Sequence, residues 1–199
     1  MSTSIVKFKV EYVSKSPPCD NRLADLRNWC DCFNQMGLTP KLGNTGRCLG
    51  NLSFRLSPCS ASFIITGSGL ESKDMLSNAD FVKVLDADPE QMRVVVEGAK
   101  DPSSESMMHF TIYKKRNDIG AIFHGHDKEI VINANKLGLP ITAHEELPGT
   151  VALLREVEKI LGNEMFIVMK NHGFLSFGKT MDEAGKLALK IKSKLSEIK

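Results

Sequence analysis

The chain lacks the features that would remove it from the ordinary soluble globular class. It has no run of 18 apolar residues, so no membrane-spanning helix is expected. Its net charge is only +2, from 26 Lys+Arg against 24 Asp+Glu, which leaves no electrostatic footprint for nucleic acid. Residues 182–199, with five lysines against three acids, carry that whole imbalance. Paired C-x-x-C motifs are missing, which argues against a zinc ribbon, and the odd count of five cysteines argues against a disulfide framework. The first residues, MSTSIVKFKV, show no signal-peptide pattern, so the expected setting is reducing and cytoplasmic. Repeats, low-complexity tracts and long linkers are also missing. Residues 1–199 are therefore read as one domain, with an extra N-terminal strand within 1–18. A chain of 199 residues buries roughly 70% of the surface its unfolded form exposes, enough to fold without a disulfide or structural metal. Any metal site is expected to serve function.

What is present is segregated by residue type. All five cysteines lie from Cys19 to Cys59, and all five histidines from His109 to His172. The cysteines are read as mostly small apolar core residues, and the chemistry is expected in the later part.

Val6, Phe8, Val10 and Tyr12 alternate with charged residues, the period of a half-buried strand over Ile5–Val13. A helix is predicted from Asp20 as N-cap, through Leu23, Leu26, Cys30 and Phe33, to the stop at Gly37. Two hairpins follow, one from Leu49–Leu56 with Phe63–Thr66 and one from Phe81–Leu85 with Arg93–Glu97. In the first, Asn51, Ser53 and Arg55 share a face, a candidate ligand surface. Serine after Pro102 opens a predicted helix to Arg116, followed by a strand Ala121–His126. Short helices are expected over 130–137 and 151–161, and strands over 165–170 and 174–177. Thr180-x-x-Glu183 reads as a capping box for the last helix, whose Lys186, Lys190 and Lys194 form a solvated stripe.

His124 and His126, two apart on a strand, project from one face as two metal ligands must, although an isolated H-x-H is more often structural. His172 stands where a buried strand reverses at Gly173, a place that holds a ligand rigidly. Glu105 opens a helix, whose dipole favours the ionised carboxylate and so a ligand or general base. Three imidazoles and a carboxylate suit Zn²⁺. His109, one turn after Glu105, is read as a buried supporting group.

Five segments, Gly50-Asn51-Leu52-Ser53 with Arg55, Ile65-Thr66-Gly67-Ser68-Gly69, Pro102-Ser103-Ser104-Glu105, His124-Gly125-His126 and Asn171-His172-Gly173, occur in one order. In them the chain resembles the class II aldolase/adducin family over about residues 23–199. The resemblance implies an α/β fold, three-layer α/β/α with a central mostly antiparallel sheet. It implies Zn²⁺ on His124, His126 and His172, with Glu105 as fourth ligand or as base. It also implies a phosphate site from Asn51, Ser68, Gly69, Ser103 and Ser104. Glycine-rich turns and a serine-rich helix start independently suit an anion.

The activity implied is that of a zinc-dependent sugar-phosphate aldolase-like lyase, working on a small phosphorylated sugar or dihydroxyacetone phosphate through a metal-stabilised enediolate. A dehydratase of methylthioribulose 1-phosphate or an epimerase would use the same groups, and an adducin-like association module would need none of them. The family also implies a homotetramer. His126 and His172 are only 46 positions apart, shorter than the family's aldolases lead one to expect. Where those aldolases carry a proton-donating tyrosine, this chain reads Thr142-Ala143-His144-Glu145-Glu146, so His144 is the candidate acid, its alternative being a surface histidine. Arg47, before the Gly-Asn pair, either reaches a phosphate or is solvated.

Overall fold

The structure, a computed structural model, describes residues 7–198 apart from the side chain of Asn44. In chain order its elements are β1 (Lys9–Ser14), α1 (Leu23–Gln35), β2 (Asn51–Arg55), β3 (Phe63–Thr66), β4 (Phe81–Asp88), β5 (Arg93–Gly98), α2 (Ser106–Lys115), β6 (Ala121–Gly125), α3 (Lys128–Ile132), α4 (Val151–Ile160), β7 (Phe166–Met169), β8 (Gly173–Gly178) and α5 (Met181–Lys194). The strands form one sheet in the order β1-β5-β4-β3-β2-β6-β8-β7. Every pairing is antiparallel except β1 with β5. The N-terminal strand therefore joins the sheet edge. Its expected first residues, Ile5 and Val6, lie outside the described part.

Strand alternation divides the apolar side chains between two cores. On one face Phe63, Ile65, Val82, Val84 and Ile122 pack with Met107, Ile112 and Tyr113 of α2 and with Leu153 and Val157 of α4. On the other, Leu52, Phe54, Ile64 and Phe123 pack with Leu26, Cys30 and Phe33 of α1, Ile130 of α3, and Ala184, Ala188 and Ile191 of α5. Helices cover both faces, which makes the three layers. Trp29, Phe33 and Phe123 meet edge-on or tilted, with centroids 5.4–6.5 Å apart, and tie α1 to the sheet. Among the described residues no helix is long and apolar enough to cross a membrane.

Four local expectations are corrected. Helix α1 starts after Arg22, because the Asp20 carboxylate already accepts the Arg22 N–H at 2.9 Å and its guanidinium at 2.7 Å, a turn one step before the helix. No serine caps α2. Glu105 holds the capping position, with no side-chain cap bond, so its carboxylate stays free for the site. The box at Thr180 is half made: Thr180 accepts the Glu183 N–H, but Glu183 accepts from Lys179 one residue earlier. Of the five cysteines only Cys30 is buried. Cys19 and Cys59 fall in exposed loops, where apolar character has nothing to pack against.

Candidate active site

β2 and β6 run side by side with Asn51 directly opposite His124, so both side chains leave the sheet on one face. That face is covered by α2. Two strand residues advance about 6.7 Å and four helical residues about 6 Å, so alternate residues of β2 meet successive turns of α2. Asn51 donates from Nδ2 to Glu105 Oε2 at 2.8 Å. Ser53 Oγ lies 2.8 Å from both His109 Nδ1 and Tyr113 OH. Arg55 donates to the carbonyls of Tyr113 and Arg116, and also to those of Ile119 and Ser60. The polar row predicted as a ligand surface is thus split. Only Asn51 reaches the site, while Ser53 and Arg55 are buried as ties between strand and helix.

His126 follows the end of β6, its N–H donating to Leu38 O at 2.7 Å. His172 comes from the β7–β8 turn, where Asn171 takes a left-handed φ of 55° that asparagine tolerates better than most residues. Two glycines let backbone approach His124. At Gly50, with φ of 77°, a Cβ would lie 2.6 Å from His124 O; at Gly173 one would lie 2.9 Å from His124 Cε1.

Ring nitrogens of His124, His126 and His172 lie within 4.8 Å of one another. His124 Nε2 stands 3.0 Å from Glu105 Oε2, and His172 Nε2 3.0 Å from Glu105 Oε1. His124 Nδ1 is 2.8 Å from Phe174 O, which only accepts, so the ring proton sits on Nδ1 and Nε2 turns its lone pair into the cluster. That lone pair faces His172 Nε2 at 3.3 Å. Glu105 Oε1 is buried with no hydrogen-bond partner among the described residues.

Burial pushes the Glu105 carboxyl up, but the facing His124 and His172 outweigh it and hold the group well below its usual range. Burial pushes the His124 imidazole down, and with its neighbours takes His126 down to about 2. Three imidazoles, two of them disfavoured by burial from taking a charge, beside an ionised carboxylate with an orphaned oxygen are a donor set that fits Zn²⁺.

A cavity of about 330 Å³ opens over this cluster. Asn51, Ser68, Gly69, Ser103 and Ser104, the predicted phosphate residues, all line it together with Glu105, His126 and His172. Ser68 N–H donates to Asp101 O at 2.9 Å and ties the two loops; the amides of Gly69 and Ser104 have no partner among the described residues. Arg47, half-buried, lines the cavity as well. His144 does not. It lies in an exposed loop, its N–H held by Glu156 Oε2 of α4 at 3.0 Å, so within one copy of the chain the expected acid is not brought to the site. Among the lining residues that went unpredicted is Lys73, which is 2% exposed, although a lysine in a Ser/Asp-rich stretch reads as solvated.

The family model for the Class II Aldolase and Adducin N-terminal domain matches residues 30–195. The chain is 30% identical over 158 residues to a 5-methylthioribulose-1-phosphate/5-deoxyribulose-1-phosphate aldolase of Rhodospirillum rubrum, covering 71% of this chain and 66% of that protein. It is 32% identical over 97 residues to an L-fuculose phosphate aldolase of Methanocaldococcus jannaschii, covering 42% of this chain and 52% of that one. The chain thus spans between half and two thirds of the length of these two relatives. Among solved structures, an L-fuculose 1-phosphate aldolase superposes with a TM-score of 0.72 at 22% identity, over 91% of this chain and 85% of the other.

Proposed function

The chain belongs to the class II aldolase and adducin N-terminal domain family, and on that premise we propose that it is a zinc-dependent sugar-phosphate aldolase-like lyase that makes or breaks a carbon–carbon bond. The observation that carries the reading is the convergence of three histidines and Glu105 at the floor of a cavity walled by serine and glycine amides. His124, His126 and His172 would hold the metal, which when bound supplies Lewis-acid polarisation of the substrate's carbonyl and neighbouring hydroxyl oxygens. Glu105 is the base: in the bond-forming direction its ionised carboxylate takes a proton from the carbon next to the carbonyl of dihydroxyacetone phosphate, and in cleavage it returns a proton to that same carbon once the carbon–carbon bond has broken. Asn51 orients this carboxylate by donating to Oε2. The Gly69 and Ser104 amides, with the hydroxyls of Ser68, Ser103 and Ser104, hold the phosphate and fix the register of the carbon chain over Glu105.

The substrate is a small phosphorylated ketose, with dihydroxyacetone phosphate as the product or partner half, and the assembly is a homotetramer. Two relatives whose names specify aldolases of sugar phosphates support this reading over a dehydratase. The test is a turnover screen of ketose 1-phosphates on zinc-loaded protein, with metal analysis of the wild type and of His124→Ala. About one Zn²⁺ per chain, lost in the variant, together with release of an aldehyde, is expected. Metal-free wild type would overturn the reading, and loss of water without an aldehyde would replace the lyase by a dehydratase.

A further inference from the structure

Among the described residues two cations, Arg55 and Lys73, are buried with no carboxylate in ion-pair contact, and they are solved differently. Arg55 spreads its charge over four backbone carbonyls at 2.6–2.8 Å. Lys73 is 2% exposed and makes no hydrogen bond or ion pair with any described residue. Burial accordingly lowers its pKa, and the titratable groups within reach of its charge are Cys30, Cys48, Lys100 and His124. Lys100 does not share the problem, since Asp80 accepts from it at 2.7 Å. An ammonium with almost no water and no carboxylate beside it is costly, so the group either gives up its proton or is completed by an anion. Lys73 lines the cavity that also holds Ser68, Gly69, Ser103 and Ser104, whose neutral donors leave an anion's charge uncompensated.

We propose that Lys73 is the specificity-determining counter-charge of this cavity, its ammonium pairing with the substrate's phosphate, so that the site takes doubly charged phosphate esters and rejects uncharged sugars of the same shape. The inference rests on the proposed reading of the cavity as a phosphate-ester site. Neutral serine and glycine donors alone bind a phosphate by geometry; a buried ammonium adds charge recognition, which weakens steeply when the ligand loses its charge. The remaining cation at the rim, Arg47, is half-buried and can keep its water.

Calorimetry with inorganic phosphate, glycerol 3-phosphate and glycerol, on wild type and Lys73→Met, tests this. Wild type should bind both anions and not glycerol, and Lys73→Met should lose about 100-fold in affinity for each, as expected for a charge-assisted contact. Without anion, Lys73→Met should melt no lower than wild type, because an unpaired charge has been replaced by an apolar chain of similar length, and phosphate should no longer raise its melting temperature. Equal phosphate affinity in the two proteins would overturn the role of Lys73 and leave the phosphate site standing. Failure of wild type to bind either anion would overturn both. Should Lys73→Met not fold, the wild type decides: phosphate should slow acetylation of Lys73, read by mass spectrometry, while Lys100 is unaffected. An unchanged rate at Lys73 would overturn the inference.

Discussion

Along the seam between β2 and α2, the Arg55 end is closed by hydrogen bonds and the Asn51 end is left open, while His109 between them keeps a buried Nε2 with no partner among the described residues. At the Arg55 end the guanidinium makes four hydrogen bonds, and one turn away Ser53 Oγ meets His109, Tyr113 and the Ile122 carbonyl. At the Asn51 end Asn51 donates to Glu105, and both Asn51 Oδ1 and Glu105 Oε1 are buried with no hydrogen-bond partner among the described residues. The two ends use the same strand, helix and spacing. Satisfaction of buried polar groups holds the structure together, and their deliberate incompleteness is what a ligand can use.

The sharpest way to test that contrast is to change one residue at each end. Glu105→Gln keeps the shape and removes the base, so turnover should fall about 10³-fold with the melting temperature maintained, measured by steady-state kinetics and calorimetry. Unimpaired turnover would remove Glu105 from its role. Arg55→Met should do the reverse. Stranding four carbonyls costs about 3 kcal/mol or more in urea denaturation, with zinc content per folded chain unchanged. A loss under about 1 kcal/mol would show that those bonds do not hold the seam.

His109 stands between the two ends, and burial takes its pKa from 6.5 to about 3. The unfolded chain therefore binds a proton below pH 6.5 that the folded chain does not bind until about pH 3. Stability from this group is fully present above pH 6.5 and is lost as pH falls, by about 1.4 kcal/mol per unit until the folded value is reached. Denaturation of wild type and His109→Gln at pH 7 and 5.5 should give a slope shallower by one proton in the variant. Equal slopes would place the titration elsewhere. The smallest effect belongs to His144→Phe, outside the cavity: less than about a twofold change in kcat/KM, with the same pH–rate profile. A lost limb of that profile would return His144 to the reaction.

Much of this contrast was legible in the chain. Strand alternation put Asn51, Ser53 and Arg55 on one face, and H-x-H, the glycine after His172 and the helix start at Glu105 pointed to residues that the fold brings together. What alternation reports is the side from which a residue leaves the sheet. It does not report what lies there. Ser53 and Arg55 become ties because α2, more than 50 residues later, covers them. Asn51 is left at the site because the helix begins opposite it, at Glu105.

Local pattern by itself therefore determined the elements, the two apolar faces and the residue types able to hold a metal and a phosphate, since those depend on periodicity and on conformational preferences within a few residues. Tertiary structure alone decided which polar groups are satisfied, that Lys73 is buried beside the cavity and that His144 does not line it. Burial and partnership are properties of chain segments far apart in sequence. The free energy that makes an unpaired buried group consequential exists only once those segments have met.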